Sequence, residues 1–521
     1  MKISLASPWL LPILSGIFIG TSYIPFPPWA SAFGFIPLWI FWEQQTRLKN
    51  VILGGFVTIF VFTLIGFNWV TFLLHEFAHV PWVIAGLGML LFALFAHLFV
   101  PVAGILWFIG RKQKLYTGWL SIFAMGLFTA LALWAMPMLF KWNFGYTWYF
   151  AKIPVYHLAE YIGFSGLSML TVLTHVPLYY AWQHRADKKG RSILVRVIMV
   201  FALLNAFGLS IKAWQPKPDA SFNTLLVQAN IGNAEKMAAE LGRGFYQQIL
   251  HKYFAATDKG LTKYADQPID FILWSETAFP SLLNPEYQES YLYQQLIQYL
   301  NKRQVALITG AYGKDPDSGL ITNSLFVLDK KGQVQAPYYS KSILLAFGEY
   351  IPGEEKFPVF REWLPIVGQF GRGQGPTQLL ALEDYKIGPQ ICYESLYPDF
   401  SKSLADLGAQ FIVNVTNDSW YGTWQEPYQH MYMTLGRAIE TRRPLVRVTN
   451  TGISTVVLAS GEVLQQSPMH QEWAGLYTVP YTRQPRATFY QRYFTLMPSL
   501  LMCLLLLVLL NGLRLRIKQD D

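Results

Sequence analysis

The sequence predicts an α-helical membrane bundle of eight transmembrane helices joined to an α/β domain outside the membrane. Long apolar stretches occupy the first 213 residues, another lies near the C-terminus, and a less apolar segment of mixed pattern separates them. The chain has 521 residues, of which 52% are hydrophobic and only 14% are charged, whereas soluble domains are about 25% charged. A wholly soluble or disordered protein is therefore excluded.

The membrane segments are the stretches that are long and apolar enough to cross a bilayer, which takes roughly 18 residues or more. We therefore predict seven helices within residues 1–213, a domain at 214–490, and an eighth helix with a basic tail at 491–521. The apolar pattern resumes at Phe33, so the first helix is expected to stay uncleaved. The predicted spans, of which the second is the shortest, are 9–24, 31–42, 51–74, 82–109, 117–140, 161–182, 193–213 and 494–513.

The positions of the basic residues predict the orientation of the bundle. Lys and Arg concentrate in every second connection and after the last helix, for example at Arg47, Arg111, Lys188 and Arg514. Cytoplasmic loops carry such an excess, so both termini are expected inside and residues 214–490 outside. Acidic residues slightly outnumber basic ones in that outer segment. The net charge of +9 thus comes from short loops, and nucleic-acid binding is not expected.

The outer segment has the pattern of an α/β domain. Helical patterns at Tyr287–Lys302 and Gln429–Thr441 separate short runs rich in β-branched and aromatic residues. Turn-rich stretches at 314–319 and 330–332 predict hairpins, so the sheet should be mixed rather than purely parallel. The predicted strands are Asn223–Ala229, Phe271–Trp274, Val305–Thr309, Ser324–Leu328, Ile387–Cys392, Phe411–Thr416, Leu445–Thr449 and Ser454–Leu458.

Three polar residues, Glu276, Lys341 and Cys392, lie close beyond apolar strands, where α/β folds usually present reactive groups. A thiol in such a place is a candidate nucleophile. A cysteine also behaves as a small buried hydrophobe, and the other two residues could be a capping carboxylate and an exposed lysine. The residues alone leave both interpretations open.

Taken together, these residues resemble the nitrilase superfamily, whose catalytic set is Glu, Lys and Cys in that chain order. The similarity extends to the segments Trp274–Pro280, Phe347–Pro352, Ile391–Glu394 and Asn414–Gly422. A nitrilase-like domain before the last of eight membrane helices is similar to the apolipoprotein N-acyltransferase family, which completes bacterial lipoprotein maturation. The resemblance covers essentially the whole chain and implies an αββα sandwich that faces the periplasm from the bacterial inner membrane.

The resemblance also implies a reaction and the residues that perform it. An acyl chain would pass from a membrane phospholipid, phosphatidylethanolamine, to the α-amino group of an apolipoprotein's N-terminal S-diacylglyceryl-cysteine. Cys392 would form a thioester, Glu276 would act as general base, and Lys341 would favour the thiolate and stabilise the oxyanion, together with the backbone N–H of Tyr393. Glu349, Tyr393 and Glu394 match positions that contact substrate or support the catalytic set. No cofactor or metal is implied, and a monomer is expected.

Two other functions remain compatible with the sequence. A membrane-anchored amidase or thioesterase would use the same three residues, with water resolving the acyl-enzyme. A lipid transporter would keep its function when Cys392 is replaced. The chain also departs from the family, because it has Asn233 and Met237 where Gln and Trp are usual, which puts its contacts with lipid or peptide there in doubt.

A metal-binding pattern and two ionisable residues near membrane helices need separate interpretation. His75 to His79 match the zinc pattern H-E-x-x-H, but Pro81 follows at once and no third ligand is evident. His97 and Glu160 could belong to a transport pathway, although a packed or interfacial role is favoured.

Overall fold

The structure is a computed structural model that describes residues 7–78, 80–140, 142–232, 245–364 and 367–520. The chain forms two compact units. One consists of Met1–Trp214 with Arg492–Asp521, and the other of Gln215–Gln491. Asn233 and Met237 lie outside the described residues.

The first unit is α-helical. Five of its helical spans have the length and apolar composition needed to cross a membrane: Leu48–Gly66, Trp82–Lys112, Pro154–Gln183, Lys188–Ala213 and Leu496–Ile517. Helices occur in all eight predicted stretches, but the remaining ones are too short for this criterion, so eight crossings remain a prediction. The helices of this unit are Leu10–Gly20, Ile36–Gln44, Leu48–Gly66, Trp69–Ala78, Trp82–Phe95, Phe99–Lys112, Trp119–Ala135, Gly145–Phe150, Ala159–Gln183, Lys188–Ala213 and Leu496–Asp520, with a short 3₁₀ helix at Pro154–Leu158.

Proline and polar residues account for the short helices. The helix Ile36–Gln44 has a proline in its first turn and contains 9 residues, which rise about 14 Å, less than half of a hydrocarbon core about 30 Å thick. The predicted span 51–74 is divided, because one helix ends at Gly66 and the next begins at Trp69. Between them the Asn68 amide donates a hydrogen bond to the carbonyl of Ile65 at 3.1 Å.

Small residues and hydroxyl groups join the membrane helices. A Cβ on Gly16 would lie 2.6 Å from Val61 Cβ, so the helices Leu10–Gly20 and Leu48–Gly66 approach closely. The Thr58 hydroxyl donates to the carbonyl of Pro12 at 3.0 Å across the same interface. Such contacts are typical of helix association in lipid.

The second unit contains two mixed β-sheets. The larger has the order β12-β1-β2-β4-β5-β6, with β3 paired to β4, and the smaller has the order β11-β10-β9-β8-β7. Strands β1, β2 and β4 are mutually parallel, as are β8, β9 and β10. The strands are Ala220–Gln228 (β1), Phe271–Trp274 (β2), Phe279–Leu282 (β3), Ala306–Lys314 (β4), Ile321–Leu328 (β5), Val334–Ser340 (β6), Leu380–Leu382 (β7), Tyr385–Ile391 (β8), Phe411–Thr416 (β9), Leu445–Thr449 (β10), Thr455–Val457 (β11) and Trp473–Tyr481 (β12).

The two sheets pack face to face and are covered by helices. The inner core joins alternate residues of both sheets, and the rings of Phe222 in β1 and Phe411 in β9 lie 4.3 Å apart. The helices Tyr246–Lys263 and Tyr291–Arg303 pack on the other face of the larger sheet. On the other face of the smaller sheet, the helix Glu426–Thr441 reaches β10, since Thr434 accepts a hydrogen bond from Arg447 at 3.4 Å. The layers are therefore αββα. The remaining helices are Val359–Trp363, Pro398–Asp406 and Phe489–Arg492, with 3₁₀ turns at Pro285–Tyr287 and Cys392–Leu396.

The predicted strands agree with the structure in position, and the two predicted hairpins connect antiparallel pairs β4–β5 and β5–β6. The predicted strand Ile387–Cys392 extends one residue too far, because β8 ends at Ile391 and Cys392 begins a 3₁₀ turn. The expectation that Cys392 lies just beyond a strand is confirmed. The residue has a positive φ of 51°, which a continuing strand does not allow. Strands β3, β6, β7 and β12 were not predicted.

Candidate active site

The topology brings the ends of several strands to one edge of the sandwich. Glu276 follows β2, and Cys392 follows β8 in the other sheet. Lys341 follows β6, which runs in the same direction as β4 because β5 is antiparallel to both. The carboxyl ends of these strands thus meet, and the three residues predicted from the sequence lie together.

Glu276 lies in a tight turn that depends on Gly310 in the neighbouring strand β4. Thr277 has a positive φ of 48°, and the Gly310 N–H donates to the carbonyl of Ser275 at 3.2 Å. A Cβ on Gly310 would lie 2.6 Å from the Ser275 oxygen and 2.7 Å from Glu276 Cα. Only glycine allows this approach, so Gly310 sets the position of the carboxylate.

Lys341 is buried between two carboxylates. Its Nζ lies 3.2 Å from Glu276 Oε1 and 2.9 Å from Glu349 Oε1. The Asn323 amide donates to the same two oxygens, at 2.7 and 3.1 Å. The other Glu349 oxygen accepts the backbone N–H of Leu345 at 2.8 Å. The ammonium and the Asn323 amide therefore hold both carboxylates in one arrangement.

The charges around Lys341 keep it protonated. Burial alone lowers the pKa of Lys341, but the carboxylates of Glu276 and Glu349 act in the opposite direction and hold this pKa well above its ordinary value. A permanently charged ammonium can stabilise a developing oxyanion but cannot serve as a base.

Cys392 is held at the start of its turn by polar contacts to its main chain and side chain. Its carbonyl accepts hydrogen bonds from Asn414 Nδ2 at 3.3 Å and from the Ser395 hydroxyl at 3.0 Å. Hydrogen bonding by the side chain of Thr416, at the end of β9, lowers the pKa of the thiol. Only 6% of the residue is exposed, so its thiol meets a largely dehydrated environment.

The resting form of Cys392 is the thiol. Burial raises the pKa of the Cys392 thiol, and the nearby Glu276 carboxylate raises it further, whereas Lys341 and the Thr416 hydrogen bond lower it. The expectation that Lys341 favours the thiolate is confirmed for the lysine's own effect, which burial and Glu276 outweigh. Two carboxylates on Lys341 offset its charge, so the thiolate needs a proton acceptor to form.

Glu394 joins the cysteine turn to the segment that follows Lys341. Its Oε1 accepts hydrogen bonds from Tyr339 Oη at 2.6 Å and from the backbone N–H of Ser342 at 2.7 Å. Its Oε2 accepts the backbone N–H of Ile391 at 2.9 Å. A completely buried carboxylate with these partners fixes the two strand ends relative to each other.

Tyr393 follows the nucleophile candidate directly and is half-buried. Its ring packs edge to face with Tyr397 at a centroid distance of 5.5 Å. The ring and its phenol are thus anchored within the cysteine turn.

A second cluster of buried charges lies behind Cys392, and sequence reasoning assigned no role to it. Asp418 Oδ2 lies 2.8 Å from the guanidinium of Arg447, and Asp418 Oδ1 lies 3.2 Å from His430 Nδ1. Glu426 Oε1 lies 3.4 Å from the same nitrogen. Arg447 also donates to Asn414 Oδ1 at 2.6 Å. Because Asn414 also donates to the carbonyl of Cys392, two hydrogen bonds through this one residue connect the cluster to that carbonyl.

The side chains most able to hold a metal belong to this cluster. Among the described ranges, Asp418, Glu426 and His430 place ligand atoms within 4.8 Å of one another. The guanidinium of Arg447 already forms an ion pair with the Asp418 carboxylate, and its positive charge would repel a metal ion. The residues therefore fit an ion-pair network better than a metal centre.

The predicted zinc pattern is described only in part, because His79 lies outside the described residues. His75 stacks on Trp82 with ring centroids 3.9 Å apart, and its Nδ1 is hydrogen-bonded to the carbonyl of Val80 at 2.8 Å. His97 is buried in the helical unit and hydrogen-bonds the Thr63 hydroxyl at 2.8 Å. Both contacts are those of packed histidines.

Two comparisons with family models define the class of the protein. Residues 213–480 match the carbon-nitrogen hydrolase family, and residues 15–176 match the N-terminal domain of apolipoprotein N-acyltransferases. The second unit is therefore a carbon-nitrogen hydrolase domain of nitrilase-like fold. Most of the apolar helices precede it in the chain, and one, Leu496–Asp520, follows it.

Relatives extend this result to the whole chain. An apolipoprotein N-acyltransferase of Bdellovibrio bacteriovorus is 44% identical over 92% of this chain and 89% of its own length. One of Geobacter metallireducens is 27% identical over 89% of this chain and 88% of its own. An amidase of known structure from Nesterenkonia sp. is 17% identical, spans 50% of this chain and 91% of its own, and has a TM-score of 0.36.

The chain belongs to the apolipoprotein N-acyltransferase family. It is an acyltransferase and an integral membrane protein, and membership of this family implies lipoprotein and phospholipid substrates.

Replacing Gly310 with alanine is expected to displace Glu276 and to lower acyl transfer by about a hundredfold, since misplacement of a reacting group by about 1 Å costs that much. The reason is the backbone contact of 2.6 Å that the new Cβ would make. The measurement is the steady-state rate of acyl transfer to a diacylated lipopeptide. Gly86→Ala is the matched control, because a Cβ there meets no atom within 4 Å. Wild-type activity in Gly310→Ala would show that this contact does not position Glu276.

Proposed function

We propose that the protein transfers an acyl chain from a membrane phospholipid to the α-amino group of an N-terminal S-diacylglyceryl-cysteine. The transfer passes through a thioester on Cys392. Glu276 is the general base, and Lys341 stabilises the oxyanion together with the backbone N–H of Tyr393. Phosphatidylethanolamine is the proposed donor.

The observation that best supports this proposal is the contact of Lys341 with two carboxylates beside a buried thiol. Glu276 has one oxygen engaged by Lys341 and by Asn323, and its charge acts on the Cys392 thiol. A carboxylate, a fixed cation and a protonated thiol are the three groups that acyl transfer through sulfur needs.

In the first half-reaction, Glu276 takes the proton of Cys392 as the sulfur attacks the ester carbonyl of the phospholipid. A carbon–sulfur bond forms, and the carbonyl oxygen becomes an oxyanion that the Lys341 ammonium stabilises. The intermediate collapses with cleavage of the ester carbon–oxygen bond, and Glu276 returns the proton to the leaving oxygen. A lysophospholipid departs, and the acyl chain stays on the sulfur.

In the second half-reaction, the neutral amine of the acceptor attacks the thioester. Glu276 takes a proton from the nitrogen, a carbon–nitrogen bond forms, and the carbon–sulfur bond breaks. The thiolate leaves and regains its proton from Glu276. One difficult transfer is thereby divided into two easier steps.

The membrane part of the proposal rests on the sequence pattern. We place the catalytic domain in the periplasm of a bacterial inner membrane, with both termini in the cytoplasm and eight crossings in total. Both substrates carry acyl chains, so an enzyme held in the bilayer meets them where they reside. The proposed active form is a monomer.

Mass spectrometry of the purified protein after exposure to phosphatidylethanolamine tests the mechanism. We expect an acyl adduct on Cys392 that hydroxylamine removes and that moves to an added diacylated Cys-peptide. Cys503→Ala is the matched control, because Cys503 is the chain's other cysteine and lies in an apolar helix. The adduct should persist in this control.

The same experiment separates the alternatives. Loss of the adduct to water at an equal rate with and without the acceptor peptide would identify an amidase or thioesterase and overturn acyl transfer. A folded protein that forms no adduct would overturn the thioester for this donor.

A further inference from the structure

Thr416 lies beside Cys392 because their strands are paired in register. Ile391, the last residue of β8, is opposite Val415 in β9. Cys392, which begins the turn after β8, and Thr416, which ends β9, are therefore the next residues on neighbouring parallel strands. Hydrogen bonding by the Thr416 side chain lowers the pKa of the Cys392 thiol. Its hydroxyl also donates to Asp418 Oδ1 at 3.1 Å. Thr416 thus connects the nucleophile to the buried charge cluster behind it.

A hydroxyl has one hydrogen and can donate to one acceptor at a time. While Thr416 donates to Asp418, it can only accept the hydrogen of the Cys392 thiol. A thiolate has no hydrogen to give, so it can be stabilised only if Thr416 turns its hydrogen from Asp418 to the sulfur. The thiol and thiolate forms therefore require different orientations of the same hydroxyl.

The Asp418 carboxylate has other partners that remain when Thr416 no longer donates to it. Its Oδ1 also faces His430 Nδ1 at 3.2 Å, and its Oδ2 contacts Arg447 at 2.8 Å. Burial would raise the pKa of Asp418, but Arg447 and His430 outweigh it and hold this pKa at about 2. The carboxylate stays ionised and partnered when Thr416 turns away.

We propose that the Thr416 hydroxyl stabilises the sulfur of Cys392 by changing its acceptor from Asp418 to the thiolate. The thiol proton passes to the Glu276 carboxylate, and the Thr416 O–H rotates without any covalent change. The hydroxyl returns to Asp418 when the sulfur becomes a thioester and turns again when the thiolate leaves in the second half-reaction. This role deepens the proposed function, because it assumes that Cys392 is the nucleophile.

Other ionisable side chains also interact electrostatically with Cys392 or with Asp418, and a test of Thr416 must account for them. Those around Cys392 are Glu276, Lys341, Asp418 and the phenols of Tyr393 and Tyr421. Those around Asp418 are Arg447, His430 and Glu426. Replacing the threonine leaves all of these side chains in the protein, although Thr416→Val also removes the hydrogen bond that Asp418 Oδ1 accepts from the Thr416 hydroxyl.

The test compares Thr416→Val, which keeps the shape and removes the hydroxyl, with Thr416→Ser, which keeps the hydroxyl. Both are made in the full-length protein with Cys503→Ala, so that Cys392 is the remaining thiol. The measurement is the rate of alkylation by iodoacetamide as a function of pH. We expect Thr416→Val to shift the profile upward by about one pH unit, an approximately tenfold lower rate at fixed pH. Thr416→Ser should stay within about twofold of its parent.

An unchanged profile in Thr416→Val would overturn the proposal, and so would an equal shift in both variants, since packing would then be the cause. If Thr416→Val does not fold, as judged by its thermal unfolding midpoint, the smaller Thr416→Ala carries the same test. Alkylation requires no acyl donor. A wild-type protein that forms no thioester would therefore contradict the proposed function while leaving this comparison decisive for the hydroxyl.

Discussion

Glu276→Gln is expected to lower the rate of thioester formation at neutral pH by about a thousandfold, a typical contribution of a general base. The amide keeps the size of the side chain and can still accept from Lys341 and Asn323, but it cannot take the thiol proton. Because burial holds the pKa of Cys392 above its ordinary value, few thiolates form unaided. The rate of the variant should therefore rise about tenfold per pH unit, while the wild-type rate is nearly flat. Single-turnover release of lysophospholipid at several pH values measures this.

Glu349→Gln is the matched control for this prediction. Glu349 contacts the same ammonium as Glu276, at 2.9 and 3.2 Å respectively, and Glu276 is the carboxylate proposed to take the proton of Cys392. Loss of either carboxylate removes one of the two contacts that hold the Lys341 ammonium in place, so the rate of acyl transfer should fall in both variants. Only Glu276→Gln should gain the steep pH dependence. The same slope in both, or in neither, would contradict the assignment of Glu276 as the base.

The chain order and strand positions of the candidate residues were accessible from the sequence. Glu276 and Cys392 each follow an apolar run that the sequence predicts as a strand, whereas the strand before Lys341, β6, was not predicted because it is short of apolar residues. The supporting roles of Glu349 and Glu394 were inferred from the resemblance to the family. In the structure, Glu349 contacts Lys341. Glu394 accepts hydrogen bonds from residues adjacent to Lys341 and Cys392. Strand periodicity locates such residues because buried parallel strands are continuous apolar runs.

The partners that set the charges were not accessible from the sequence. Asn323 lies within strand β5, and nothing in the sequence distinguishes it from other polar residues. In the structure, its amide bridges the carboxylates of Glu276 and Glu349. Arg447 offered a weak signal, since a charge within an otherwise apolar strand indicates a buried ion pair. Its partner Asp418, and the His430 that contacts Asp418, are 29 and 17 positions earlier in the chain. Only the packing of the helix Glu426–Thr441 on β10 brings them together.

For the membrane segments, the sequence predicts that helices exist but not how long they are. Composition locates apolar stretches well, but it does not reveal where a helix ends within them. Gly66, Asn68 and Pro37 interrupt stretches that hydropathy treats as continuous. The lengths of the helices were therefore less predictable than their existence.

Lys341→Met is expected to cause the largest loss of stability in the domain, together with loss of acyl transfer. Lys341 is 2% exposed, and its removal leaves the buried Glu276 and the half-buried Glu349 as neighbouring carboxylates that share the Asn323 amide. Breaking a buried ion pair in this way costs about 3–5 kcal/mol of unfolding free energy, or about 10 °C in the thermal unfolding midpoint. Scanning calorimetry in detergent measures the loss.

A second substitution identifies the cause of that loss. Without the ammonium, the carboxylates of Glu276 and Glu349 are neighbours of like charge and repel each other. Lys341→Met with Glu349→Gln removes one of the two charges and should recover part of the stability but none of the activity. Lys314→Met, at an exposed lysine that ends β4, should change stability by less than about 0.5 kcal/mol. A loss in Lys341→Met that Glu349→Gln does not relieve would attribute the effect to packing and contradict the electrostatic role of Lys341.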